Sequence, residues 1–162
     1  MPGVPSGEFE FITWLRDRTP RGTGVLVGPG DDTAVLRAEA DLPLLATTDM
    51  LLEGSCFLLR GEGAAAPRRI GRKAMAVNLS DIAAMAGAPR WAVVSVGLPR
   101  HGGRALAEEL YLGMREMADE FATSIVGGDT NSWDGPLVIS VTLIGVAHPR
   151  GAILRSGAKV GD

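Results

Sequence analysis

Pro67–Leu98 reads PRRIGRKAMAVNLSDIAAMAGAPRWAVVSVGL, and the hydrophobic period changes inside it. Ile70, Ala74, Val77, Ile82 and Met85 recur at three- to five-residue steps, the spacing that keeps side chains on one face of a helix. Arg68, Arg69, Arg72 and Lys73 cluster in its first turns. Gly87-Ala88-Pro89 then stops the helix, and Trp91–Leu98 is a β-rich run ending at Pro99.

The flanks extend this alternation. Downstream, Leu106, Leu110, Met114, Met117 and Phe121 mark a second long helix, with Glu108, Glu109, Arg115, Glu116 and Asp119 on its wet face. Ser124-Ile125-Val126 is a brief apolar run ending at Gly127-Gly128-Asp129, and Leu137–Val146 is strongly β-prone. Upstream, Ser6-Gly7-Glu8 before Phe9, Phe11, Ile12 and Leu15 predicts a capped amphipathic helix that breaks at Thr19-Pro20. Residues 22–30 form a loop or a short strand between loops. A short strand follows Asp32, and a second strand from Leu42 runs to Asp49, with Met50–Leu52 and Cys56–Leu59 continuing or pairing with it. The order helix, strands, helix, strand, helix, strands is that of an α+β (α/β sandwich) fold, a mixed sheet with helices packed on it.

At 162 residues the chain is one domain, or one domain plus the start of another. With 46% hydrophobic and 22% charged residues it can bury a core. A net charge of −3 argues against nucleic acid as a partner, because a phosphate backbone demands a basic face. Charges or turn residues interrupt every apolar run, so no membrane span is expected, and the first six residues lack a signal-peptide pattern. One cysteine, Cys56, cannot form an internal disulfide, which suits a reducing cytoplasm. The 22 glycines mean either many turns or backbone that approaches something closely. Residues 155–162 are polar and turn-like and close no element, as at the entrance to a further domain.

Four aspartates stand where apolar segments meet polar residues: Asp32 in Gly30-Asp31-Asp32, Asp49 in Thr47-Thr48-Asp49, Asp81 in Asn78-Leu79-Ser80-Asp81, and Asp129 in Gly127-Gly128-Asp129. Each has an ordinary reading. Gly28-Pro29-Gly30-Asp31-Asp32 reads as a tight connection, Thr47-Thr48-Asp49 as a strand end with a hydroxyl turn, and Gly127-Gly128-Asp129-Thr130 as a hairpin turn. Asp81 would be an exposed helical residue in a polar stripe with Asn78 and Ser80. The chemical reading treats them together. Converging carboxylates and hydroxyls, with bare glycine backbone nearby, are what Mg²⁺ and a polyphosphate need. Asp81 is expected to face inward, because Ile82, Ala83, Ala84 and Met85 follow it and an Asp on an apolar face needs a partner.

No Gly-x-x-x-x-Gly-Lys-Ser/Thr and no Gly-x-Ser-x-Gly occurs. His101 and His148 are isolated beside loop residues, and Cys56 next to Phe57 reads as a small core residue. Without a convincing nucleophile or base, direct displacement positioned by metal fits better than covalent catalysis, and phosphoryl transfer most nearly needs only positioning and charge neutralisation.

Taken in order, Gly7-Glu8-Phe9, Gly30-Asp31-Asp32, Thr47–Leu51, KAMAVNLSDIAAM at 73–85, IVGGDT at 125–130 and RSGAKVGD at 155–162 resemble the thiamine-monophosphate kinases. These belong to a superfamily of ATP-binding enzymes with aminoimidazole ribonucleotide synthetase, selenophosphate synthetase and the hydrogenase maturation factor HypE. The resemblance implies a PurM N-terminal-like domain at 1–148, helices on one face of its sheet, and 149–162 as the start of a second domain that is otherwise missing. It implies transfer of the ATP γ-phosphate onto thiamine monophosphate with Mg²⁺ and no phosphoenzyme. By position, Asp32, Thr47, Thr48, Asp49, Asp81 and Asp129 would be metal ligands, and Gly128, Asp129 and Arg155 would contact ATP. A homodimer is implied, with sheets of two subunits forming a barrel and the nucleotide close to the interface. Where such kinases carry a substrate-touching histidine in Gly-x-His-Phe, this chain has Gly54-Ser55-Cys56-Phe57, so Cys56 would meet the substrate with a weaker hydrogen bond and no cationic form. Without the second domain, little kinase activity is expected. The alternatives are another enzyme of the superfamily, aminoimidazole ribonucleotide synthetase-like or HypE-like, or an inactive dimerisation or nucleotide-binding module.

Overall fold

The computed structural model describes residues 6–20, 22–29, 34–38, 42–100, 103–154, 156 and 159–161, with side chains from residue 10 onward. In chain order the elements are α1 (Ser6–Arg18), β1 (Val25–Val27), β2 (Val35–Leu36), β3 (Leu44–Leu52), α2 (Pro67–Ala84), β4 (Ala88–Pro99), α3 (Gly103–Glu120), β5 (Ser124–Trp133) and β6 (Val138–Val146). The longer strands form one mixed sheet in the order β3-β6-β4-β5, and β1 pairs with β2 in a small separate ribbon. β6 runs antiparallel to both its neighbours, whereas β4 and β5 are parallel and joined through α3. A parallel pair needs such a crossover, because a tight turn cannot return the chain in the same direction.

Alternation along β6 explains how the sheet is covered. Ile139, Val141 and Leu143 are fully buried, with Leu51 of β3 and Ala92 of β4 on the same face. α2 and α3 lie over that face and contribute Ile70, Met75, Ile82, Leu110 and Met114, each at most 2% exposed. Each such side chain is worth about 1.5–3 kcal/mol on burial, so this layer carries most of the stability. The two helices approach until backbone meets backbone. A Cβ on Gly71 would lie 2.0 Å from the Leu110 carbonyl oxygen, and one on Gly113 would lie 1.9 Å from that of Arg68.

Both helices end in the same way, and not as the sequence suggests. Ala86, at φ 54°, takes the left-handed position after α2, where Gly87 was the expected stop. The Gly87 amide donates to the Ile82 carbonyl at 2.9 Å and the Ala86 amide to that of Ala83 at 2.9 Å, which closes the orphan carbonyls. After α3, Ala122 at φ 51° does the same, with the Thr123 amide on the Ala118 carbonyl at 2.9 Å. Phe121 is therefore past the end of α3, and it is 52% exposed.

Three further boundaries differ from expectation. β3 runs through Thr47, Thr48 and Asp49 to Leu52, so these residues are mid-strand. β5 does not end at Gly127-Gly128-Asp129. A bulge after Ile125 re-registers it on β4, and pairing continues to Trp133. Cys56–Leu59 is not a strand: Cys56 ends a turn at 54–56 that is closed by an isolated bridge between Glu53 and Phe57. Among the described residues no helix lies on the opposite face of the sheet. Leu44, Met50, Leu52, Val93 and Trp133 are exposed on its strands at 36–59%. Among the described residues no helix is long and apolar enough to cross a membrane.

Candidate functional site

β3 is an edge strand, paired with β6 on one side only. Its other side is overlain by α2, and there the two elements exchange polar contacts. Thr47 and Asp49 share the helix-facing parity of buried Leu51, while Thr48 and Met50 share the opposite one. The Thr47 hydroxyl donates to Asp81 Oδ2 at 2.6 Å. The Asp49 amide donates to Asn78 Oδ1 at 3.1 Å. Asn78 and Asp81 are three apart on α2, hence on one face of the helix. Asn78 is fully buried, so it is no part of an exposed polar stripe, and Asp81 lies at the exposed margin of that same face.

Thr48 is on the other side of the sheet. Its hydroxyl donates to the Val141 carbonyl at 3.1 Å and accepts from the Thr142 hydroxyl at 3.1 Å. Asp129 shares that open side: it is in register with Ser95, which pairs with Ser140, which pairs with Met50. Asn131 Nδ2 donates to Asp129 Oδ2 at 2.8 Å. From β3 to β5 is three strand spacings, about 14 Å. Within one chain, Thr47, Asp49 and Asp81 are therefore brought together, while Thr48 and Asp129 are not beside them. Among the described residues no three His, Cys, Asp or Glu side chains converge as a metal cluster. Asp32 and Arg155 lie outside the described residues.

Gly128 is in register with Val94 on β4, and a Cβ there would fall 1.9 Å from the Val94 carbonyl oxygen. The glycine is thus required by the sheet itself, whatever else it does. Cys56 occupies the turn after β3. Its amide donates to the Leu52 carbonyl at 2.8 Å, and its own carbonyl accepts from Lys73 Nζ of α2 at 2.6 Å. Glu53 braces the same turn, because its Oε2 accepts from the Leu137 amide at 2.8 Å. Asn78, Lys73 and Glu53 are parts of this region that motif reading did not single out as carrying it. The only signal was a polar Asn on the apolar side of a helical repeat.

The donors gathered between β3 and α2 are all oxygen, two carboxylates and a hydroxyl, the set that suits a hard divalent cation such as Mg²⁺ and not a thiophilic one. They leave most of an octahedron to water or a ligand's oxygens. The sequence matches a known domain. The family model for AIR synthase related protein, N-terminal domain, matches residues 30–147. The chain belongs to that family.

Among its relatives, the thiamine-monophosphate kinase of Rhodopirellula baltica is 41% identical over 162 residues, covering 96% of this chain and 50% of that protein. That of Bacillus subtilis is 38% identical, covering 96% and 47%. The crystal structure of thiamine-monophosphate kinase from Stenotrophomonas maltophilia superposes with a TM-score of 0.80 at 35% identity, covering 96% of this chain and 47% of that one. AaThiL complexed with AMPPCP and TMP superposes at 0.68 with 31% identity, covering 100% and 48%. A hydrogenase maturation protein HypE in complex with ATP reaches 0.73 at 22% identity, a likeness of fold alone. The chain thus spans about half the length of the curated relatives it matches.

Proposed function

We propose that this chain is the nucleotide- and cation-binding part of a thiamine-monophosphate kinase, which transfers the ATP γ-phosphate to thiamine monophosphate and gives thiamine diphosphate. The observation that carries the reading is the meeting of Thr47, Asp49 and Asp81 between β3 and α2, in a chain 38–42% identical to kinases named for that reaction. Support for the two small-molecule partners comes from the neighbour solved with AMPPCP and TMP.

In this reading Thr47, Asp49 and Asp81 hold Mg²⁺ from one side, and Asp32, Thr48 and Asp129 complete the ligand set. The ion supplies neutralisation of charge on the phosphate oxygens. Gly128, Asp129 and Arg155 contact ATP. The Cys56 turn, held by Lys73 and Glu53, faces thiamine monophosphate. No side chain serves as a nucleophile, so the chain's task is to fix groups in line and exclude water.

The separation of Asp49 from Asp129 favours a homodimer. β3 and β5 are the two free edges of the sheet, and the open face between them exposes Leu44, Met50, Val93 and Trp133. Two such sheets joined edge to edge would close a barrel, bury that face, and set β5 of one subunit beside β3 of its partner, with Asp129 and Thr48 on the same inner face. A cytoplasmic setting fits the lone, unpaired Cys56.

The gene product incubated with Mg²⁺, ATP and thiamine monophosphate should form thiamine diphosphate, detected by conversion to a fluorescent thiochrome. Asp49→Asn or Asp129→Asn should abolish turnover and leave the melting temperature near that of the parent, because a metal-site carboxylate contributes little to folding without its ion. ATP turnover with no dependence on thiamine monophosphate would refute the substrate, and survival of activity in both variants would refute the site.

A further inference from the structure

Asn78 is the most deeply buried polar side chain among the described residues, at 0% exposure. Its two partners fix the orientation of its amide. The Asp49 amide can only donate, so Oδ1 must face it, at 3.1 Å, and the Ala74 carbonyl can only accept, so Nδ2 faces that, at 3.1 Å. The bonds at the two ends of the β3–β6 ladder, from the Glu53 amide to the Leu137 carbonyl at 3.0 Å and from the Ala147 amide to the Pro43 carbonyl at 2.9 Å, turn the amide of Asp49 towards Val141 of β6. Asn78 Oδ1 meets that amide from the helical side, so the bond ties the Asp49 backbone to α2 in addition to its pairing with β6.

This contact differs in kind from the one beside it. The Thr47–Asp81 bond uses up a hydroxyl and a carboxylate that a cation would otherwise take. The Asn78–Asp49 bond uses a backbone amide and a buried side chain, and so leaves the Asp49 carboxylate uncommitted. It ties β3 to α2 one helical turn before Asp81. A slip of β3 by one residue would send Thr47 and Asp49 to the open face. We infer that Asn78 is the positioning residue of the cation site, holding the Asp49 backbone against α2 so that Thr47, Asp49 and Asp81 stay within reach of one divalent ion. This rests on the ligand roles proposed above.

The test uses the chain labelled for NMR, with Mn²⁺ as the probe. Mn²⁺ should broaden signals of residues 47, 49 and 81 selectively. In Asn78→Leu the Mn²⁺ dissociation constant should rise about tenfold or more at a temperature where both proteins are folded. A merely structural Asn78 would lower the melting temperature and leave that constant unchanged, which would overturn the inference. Asn78→Thr repeats the comparison if the leucine variant does not fold. Failure of Mn²⁺ to broaden 47, 49 and 81 in the parent is a different result: it removes the cation site itself, and the positioning role with it.

Discussion

The two faces of the sheet are written on the same strands with opposite chemistry. Along β6, Ile139, Val141 and Leu143 are sealed under α2 and α3, while Ser140, Thr142 and Ile144 between them look out on the other side. Along β3, Leu51 is 4% exposed between Met50 at 59% and Leu52 at 42%. The covered face is a finished core. The bare face mixes apolar side chains with polar ones, Thr48, Ser140, Ser95 and Asp129 lying in adjoining rows. A chain that needed only to fold would cover or polarise such a face, because contiguous exposed apolar surface marks a place of contact. The difference separates what stabilises the chain from the face proposed above as an interface.

The comparison is tested most strongly by truncating both sides. Leu143→Ala should cost about 2–5 kcal/mol in urea unfolding, because β6 is central and its neighbours cannot collapse into the cavity. Met50→Ser on the open face should change monomer stability by no more than about 0.5 kcal/mol. Equal losses would erase the distinction. Next, Val93→Asp, in the middle of the bare face, should leave the circular dichroism spectrum intact and convert a dimer to a monomer in analytical ultracentrifugation. A variant that sediments as the parent does would show that the face is not the interface.

Smaller effects probe the covered layer alone. Ala122→Gly should stabilise the chain by about 0.5–1 kcal/mol in thermal unfolding, since glycine takes the left-handed position without a Cβ clash. An unchanged or lower melting point would mean that the alanine methyl is needed where it packs. The smallest effect concerns the rim of the helical layer. Arg68 Nε donates to Glu116 Oε1 at 2.9 Å, and this bond holds the Glu116 carboxyl below its ordinary value. A lowered carboxyl pKa gives stability that is present above the ordinary value of 4.5 and fades as pH falls through it. The pair is exposed, so the loss should be slight and should shrink with added salt. Glu116→Gln should flatten that part of the pH–stability curve, and an unaltered slope would assign it to other carboxylates.

Much of the architecture was legible because it rests on local rules. The 3.6-residue pattern from Ile70 to Met85 and from Leu106 to Met117 located α2 and α3, and the β-prone run at 137–146 located β6. The boundaries that failed were those where a neighbour overrules the local signal. Gly127-Gly128-Asp129 looks like a turn, yet β4 pairs with it and Gly128 is needed so that the Val94 carbonyl can pass. Gly87 looks like the helix stop, yet Ala86 takes the left-handed position because the chain must turn there to begin β4. Of the candidate site, the residue types were evident and their neighbours were not. Asn78 was visible only as a polar residue on an apolar face, and nothing local showed that its partner would be the backbone of Asp49.

The amino-acid sequence by itself determined the helices and strands, their order, and the oxygen-rich residues available to a cation, because periodicity and residue chemistry are properties of short segments. Tertiary structure alone decided that Thr47, Asp49 and Asp81 meet on the helical side while Thr48 and Asp129 face the other way. The physical reason is the two-residue repeat of a strand: a side chain's face depends on register, and register is set by pairing with β6 and β4, whose sequences lie dozens of residues away.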